Sequence, residues 1–226
     1  MMFMLMFGMD YVHALTDAGD KLALQRLYAA TGRGEGNCLG GSQWGNSSSD
    51  PCDDGWYGVQ CVIDSENCSG QPGDTRRRVL SLILQGCGLS GRLDHILVTD
   101  MGQQLSQLQV LDLAMNQLSG AIPYSLGQLS QIQQLALYNN PLGGAIPDSL
   151  GQLSHTQQLI LGYNQLSGAI PASLGRLLQL QQLFLSANYL SGAIPDSFGQ
   201  LSQLQLLDLS TNQLTGVIPD SFDSQS

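Results

Sequence analysis

Basic residues are scarce in this chain: 8 Lys+Arg stand against 18 Asp+Glu, for a formal charge of −10. A nucleic-acid binder needs clustered cations to displace counterions from phosphates, so that class of partner is excluded. Charge of either sign is thin, at 12% of 226 residues, and the surface must be carried by neutral Gln, Ser and Asn. No apolar run reaches the roughly 18 to 20 residues that cross a bilayer, which excludes a membrane-spanning helix. Three histidines (His13, His95, His155) and one lysine (Lys21) leave little material for proton transfer near neutral pH. No Cys-x2-Cys or neighbouring His completes a zinc tetrahedron. No catalytic residue, cofactor or metal is expected, and the chain reads as a non-enzyme. Cysteine is absent after Cys87, so any stapling belongs to the N-terminal part.

What the chain does have is a period. Asn116, Asn140, Asn164, Asn188 and Asn212 recur at a strict spacing of 24, each closing a phrase such as LQVLDLAMNQLSGAIP or LQLLDLSTNQLTGVIP. A degenerate first copy, VLSLILQGCGLSG, puts Cys87 in the Asn place and lies 29 residues before Asn116. Within Leu111-Asp112-Leu113 a period of 2 sends Leu inward and the intervening residue outward, as in a short half-buried strand. One such unit cannot bury its Leu face alone, whereas stacked neighbours can. The expected fold is an α/β solenoid, a right-handed superhelix with one parallel concave sheet. Six repeats, the first irregular, are expected over residues 79–226.

The asparagines are expected to form a ladder, their carboxamides bridging backbone groups that no strand can pair. The prolines Pro123, Pro147, Pro171, Pro195 and Pro219 fix φ and lack an N–H, so they stop each strand phrase. The Leu-Gly-Gln-Leu segments after them are too short for full helices and should be 3₁₀ or irregular turns on the convex side.

From Leu108 to Phe222 the chain resembles the plant-specific class of leucine-rich repeats, with their phrase LxxLxLxxNxLSGxIPxxLGxLxx. The stretch from Asp17 to Cys61, with DKLALQRLYAAT, Trp44 and DPCDDGWYGVQC, resembles the disulfide-stapled N-terminal cap of such proteins, and the cap is expected over residues 15–78. In the cap Asp20 is expected to cap a helix whose apolar face is Leu22, Leu24, Leu27 and Tyr28, with Gly32 ending it. The resemblance implies a Cys52–Cys61 disulfide, with a spacing similar to that of the secreted plant inhibitors of fungal polygalacturonases. Cys38 and Cys68 are the next candidates for a pair, which leaves Cys87 as a small buried hydrophobe in the ladder place.

Residues 1–14 are expected to be a signal peptide, from the apolar run MMFMLMFGM and the small residues of Val12-His13-Ala14. Asn46-Ser47-Ser48 and Asn67-Cys68-Ser69 are glycosylation sequons. Together with the clustered cysteines they point to a secreted or cell-surface protein.

Function is expected on the outward positions of the strands. The residue between the two core Leu is Ile83, Asp112, Ala136, Ile160, Phe184 or Asp208 in successive repeats. Tyr138, Ile160, Tyr163 and Phe184 should gather into one exposed patch flanked by Asp112 and Asp208, since grouped aromatics are the usual anchors of interfaces. A row of Gln109, Gln134, Gln158 and Gln182 suits polar polymer or peptide partners. Thr156 stands where Leu or Ile belongs and should loosen its repeat, and His155 is read as drift. Arg76-Arg77-Arg78 is expected on the solvated approach to the first strand.

These residues imply a non-catalytic recognition module with a protein, peptide or cell-wall glycan ligand on its concave face. The resemblance implies either a receptor-like ectodomain, part of a larger surface receptor, or a free-standing inhibitor. Against the inhibitors, no cysteine pair follows Phe222. The alternative is a structural or ice-binding solenoid. It needs a flat face of small Thr-like residues repeating at one position, and the outward columns above vary too much for that.

Overall fold

In this computed structural model the described residues are 18–30, 57–63, 77–96 and 104–220. The proposed signal peptide, Cys38, Cys52, Cys68 and both sequons lie outside them. Strands recur with the sequence period: β2 (Arg77–Ile83), β4 (Val110–Asp112), β6 (Gln134–Ala136), β8 (Gln158–Ile160), β10 (Gln182–Phe184) and β12 (Leu206–Asp208). They pair in parallel, with Leu82, Leu111, Leu135, Leu159, Leu183 and Leu207 in one register. Such stacking turns each repeat's Leu pair into part of one continuous apolar spine, at roughly 1.5 to 3 kcal/mol per buried Leu.

The N-terminal edge of this sheet is closed by an antiparallel strand, β1 (Val59–Ile63), which pairs with β2. Helix α1 (Ala18–Ala30) adds Ala23, Leu24 and Leu27 to the same core. Two helix expectations need correction. Leu22 points outward at 41% exposure, so the buried stripe is narrower than Leu spacing suggested. Asp20 lies inside the first turn of α1 rather than before it, so it is not the cap.

A second sheet was not foreseen. It consists of β3 (Ser90–Arg92), β5 (Gln117–Ala121), β7 (Leu142–Gly144), β9 (Gln165–Ala169), β11 (Tyr189–Gly192) and β13 (Gln213–Leu214), in parallel. Its inward residues are the Leu and Ile of LSGAIP: Leu118, Leu142, Leu166 and Leu190, then Ile122, Ile146 and Ile170, all buried. Ser and Gly are poor strand formers, but packing between neighbouring coils overrides local preference.

After Pro123, Pro147, Pro171 and Pro195 the chain makes one 3₁₀ turn, at Tyr124–Gln128, Asp148–Gln152, Ala172–Arg176 and Asp196–Gln200. Gly151 lies where adjacent turns nearly touch: a Cβ there would stand 2.4 Å from the Ser173 carbonyl oxygen. The first repeat is irregular, with a short helix, α2 (Leu93–Ile96), inserted after β3.

Two polar expectations change. Thr156 is fully buried, yet its hydroxyl donates to the Ile132 carbonyl at 3.2 Å, which offsets the desolvation that a lone hydroxyl would suffer. Arg78 is not on a solvated approach. Its guanidinium donates to the Gln104 carbonyl at 3.1 Å and the Ser106 hydroxyl at 2.8 Å, so it ties β2 to the start of the second repeat.

Candidate ligand-binding face

Parallel pairing in register makes the outward strand residues a row across the concave sheet. Asp112, Ala136, Ile160, Phe184 and Asp208 are successive neighbours on β4, β6, β8, β10 and β12. At the end of each strand the residue before the ladder asparagine takes a left-handed conformation: Met115, Asn139, Tyr163, Ala187 and Thr211 have φ between 53° and 56°. Side chains other than Gly enter that region at a cost of roughly 1 to 2 kcal/mol, so neighbouring structure must hold them there.

The asparagines supply much of that hold. Asn164 accepts from the Leu142 N–H at 3.2 Å and donates to the Leu137 carbonyl at 3.0 Å and the Leu161 carbonyl at 3.1 Å. Asn116, Asn140, Asn188 and Asn212 repeat the arrangement. The carbonyls of Leu113, Leu137, Leu161 and Leu185 are thereby each shared by two amides, their own repeat's and the next one's; Leu161 serves both Asn164 and Asn188. Every asparagine reaches back to the preceding coil.

The first coil is therefore served by Asn116, whose oxygen accepts from the Leu89 N–H at 2.9 Å. The place of Cys87 needs no amide of its own, and Cys87 is disulfide-bonded rather than the reduced thiol expected there. Cys61 is disulfide-bonded as well, while its expected partner, Cys52, lies outside the described residues.

Five of the six residues singled out for binding line one shallow hollow of about 310 Å³: Tyr138, Ile160, Tyr163, Phe184 and Asp208. Its other two lining residues, Gly162 and Ser186, are outward positions of the same strands that sequence reasoning did not single out for binding. They occupy the same outward column as Tyr138, and their small size gives the hollow its depth. Tyr163, 66% exposed, is a wall shared with a second, polar hollow of about 260 Å³ that includes Asn139, Pro141 and Gln165. The Tyr138 hydroxyl accepts from Gln85 Nε2 at 2.7 Å, which fixes the ring from the first coil.

Asp112 does not line the hollow, because Ala136 intervenes on β6. The two carboxylates differ in state. Asp208 Oδ1 accepts from the Ser210 hydroxyl at 2.6 Å and the Ser210 N–H at 3.0 Å, and these bonds, with one from Ser186, hold its pKa below the ordinary carboxylate value. Asp112 is half-buried. Loss of hydration pushes its carboxyl above the ordinary value, and the Ala114 N–H at 2.9 Å opposes this only in part.

The sign of the Asp112 effect is testable. A folded-state pKa above the unfolded one favours the fold below the unfolded value, and that advantage is lost as pH rises through the folded value. Asp112→Asn keeps an oxygen for the Ala114 N–H and removes the buried charge. Its Tm at pH 7 is expected to equal or exceed that of the parent, with any advantage shrinking as pH falls to about 4 and the parent's carboxyl is protonated. A variant less stable at pH 7 would show that the carboxylate is held by contacts other than these.

His155 sits exposed with Nδ1 2.9 Å from the Ser130 carbonyl and stands apart from the hollow. Among the described residues, no group of three or more His, Cys, Asp and Glu could hold a metal ion.

Comparison with known proteins places these features among relatives. The family described as Leucine rich repeat N-terminal domain matches residues 17–62. Leucine-rich repeat families match residues 107–129, 131–153, 155–177 and 179–225. A probable leucine-rich repeat receptor-like protein kinase of Arabidopsis thaliana is 35% identical over 116 residues, which are 51% of this chain and 10% of that protein. This chain thus spans about a tenth of that relative's length.

Similar solved structures include the following three. A plant ice-binding protein aligns over 92% of this chain and 61% of its own, at 30% identity and a TM-score of 0.73. The BIR3–SERK2 complex from Arabidopsis thaliana aligns over 88% and 97%, at 33% identity and 0.69. The Arabidopsis receptor kinase HAESA in complex with the peptide hormone IDA and the co-receptor SERK1 aligns over 92% and 40%, at 27% identity and 0.61.

Proposed function

The chain belongs to the plant-type leucine-rich-repeat family, and from that premise we propose that it is a non-catalytic extracellular recognition module of the receptor-ectodomain kind. Its ligand is a peptide, bound on the concave face at the hollow of Tyr138, Ile160, Tyr163 and Phe184. The observation that carries this reading is the gathering of aromatic side chains on adjacent coils of an otherwise small and polar face. Rigid aromatics bury much area at small rotamer cost, and a frame held by shared hydrogen bonds has little ordering left to lose on binding. HAESA, bound to a peptide hormone, shows that a similar frame takes such a ligand.

The test is a thermal-shift screen of the purified chain against short peptides, wall oligosaccharides and polygalacturonases. For the ligand found, the double variant Tyr138→Ala, Phe184→Ala is expected to lose about 2 to 4 kcal/mol of binding free energy. Undiminished binding by that variant places the site elsewhere.

One observation favours a second reading, a surface that binds ice. The second sheet and the residues just past its strand ends carry two columns of small residues: Ser119, Gly143, Ser167, Ser191 and Thr215 beside Ala121, Ala145, Ala169, Ala193 and Val217. This face is far more regular than the concave one, and one similar structure is an ice-binding protein. Thermal hysteresis and ice-recrystallisation assays decide it. Activity that vanishes in Ala169→Lys, with peptide binding intact, supports the reading, and inactivity of the parent chain removes it.

A further inference from the structure

We propose that the concave face selects an extended peptide lying across the strands, with an apolar centre and an Arg or Lys on each flank about six residues apart. This deepens the preceding proposal and rests on the concave face being the ligand site.

The row Asp112, Ala136, Ile160, Phe184, Asp208 has an apolar middle and a carboxylate at each end. Four strand-to-strand steps of about 4.8 Å put the carboxylates roughly 19 Å apart, a span that a chain rising about 3.3 Å per residue covers in about six residues. At one end Asp208 stands in the same hollow as Phe184 and Tyr163. A guanidinium or ammonium there meets an anion and aromatic faces together, and its alkyl stem covers apolar surface. Bonds from Ser210, with one from Ser186, favour the charged form of Asp208.

The surroundings fit the same sign. From Leu93 to Ser226 the sequence holds eight aspartates and a single Lys or Arg, Arg176. Arg176 ends the 3₁₀ turn Ala172–Arg176, away from the strands of the concave sheet. No described strand residue of β4 to β12 in that sheet is basic; its two strand arginines, Arg77 and Arg78, lie on β2, where Arg78 is held by Gln104 and Ser106. The net charge of −10 steers cations toward the chain at low ionic strength.

The full chain is titrated with three capped heptapeptide libraries. Each has five mixed apolar and small positions between its end residues, which are Arg, citrulline (the neutral isostere) or Glu. The Arg library is expected to bind about tenfold tighter than the citrulline library, and the gap should close in about 0.5 M NaCl. Asp208→Asn and Asp112→Asn should each weaken the Arg library about three- to fivefold and cost the citrulline library clearly less. Melting curves on both variants establish that they fold. Moving one Arg inward by two positions should cost as much as one carboxylate.

Equal binding of the Arg and citrulline libraries overturns the charge selection. So does an equal loss of both in the Asn variants. If the citrulline or Glu library binds and the Arg library does not, the selection falls while the concave site stands. If no library binds, both proposals fall.

Discussion

Replacing Asn164 by alanine is expected to lower the unfolding free energy by about 3 kcal/mol. The Leu142 N–H loses its partner outright, and the Leu137 and Leu161 carbonyls each lose one of two shared donors. A buried orphaned donor alone costs about 1 to 3 kcal/mol, and the half-satisfied carbonyls add to it. Asn164→Asp is expected to do no better, since a carboxylate cannot donate to the Leu137, Leu161 and Gly162 carbonyls. The internal control is Asn212→Ala on the last coil. That asparagine is only half-buried, water reaches its partners, and the expected loss is about 1 kcal/mol. Urea titrations of the two variants measure the difference. Equal losses would mean that the ladder's effect does not depend on burial, and the desolvation argument for Asn164 would fail.

Gly151→Ala is the second large effect, and two rules disagree about its sign. Gly151 is not among the glycines of positive φ, and Gly→Ala at such a site usually stabilises by about 0.4 to 1 kcal/mol. The added methyl, however, would lie 2.4 Å from the Ser173 carbonyl oxygen and 2.7 Å from Ser173 Cβ. Backbone of the next coil cannot swing aside as a side chain would, so the coils must separate. Overpacking of this kind costs about 3 kcal/mol, and the contact outweighs the chain-entropy gain. Because coils interact with nearest neighbours only, the damage should also uncouple the two halves, seen as a broadened transition with a smaller m-value. Gly127 and Gly175 meet the same neighbour one coil away and should behave alike.

Much of the architecture was legible because one physical need repeats every 24 residues. Leu alternating across Asp112 or Phe184 has one satisfactory arrangement, inward against the next coil, and the strands lie where that alternation puts them. The second sheet was not legible, because Ser119-Gly120-Ala121 has no strand propensity of its own and pairs only when a neighbouring coil presents the same backbone. In α1 a short helix with Leu at 22, 24 and 27 admits two faces, and only the position of the core decides between them.

The hollow was half legible for a related reason. Aromatics announce themselves, whereas Gly162 and Ser186 act by being small, and their part depends on Tyr138 standing beside them. Cys87 occupies an asparagine's place, but nothing in the sequence said that the asparagine of the following coil does the bonding.

The backward reach of each amide bears on how such a chain can change its length. Duplicating or excising one complete interior unit leaves every interior carbonyl with its two donors, whereas a gain or loss of any other size strands one of them. Growth by whole units also multiplies the variable outward positions without disturbing those already in use. Lineages of these proteins are thus free to lengthen their recognition surface by recombination and to diversify it afterwards by point mutation.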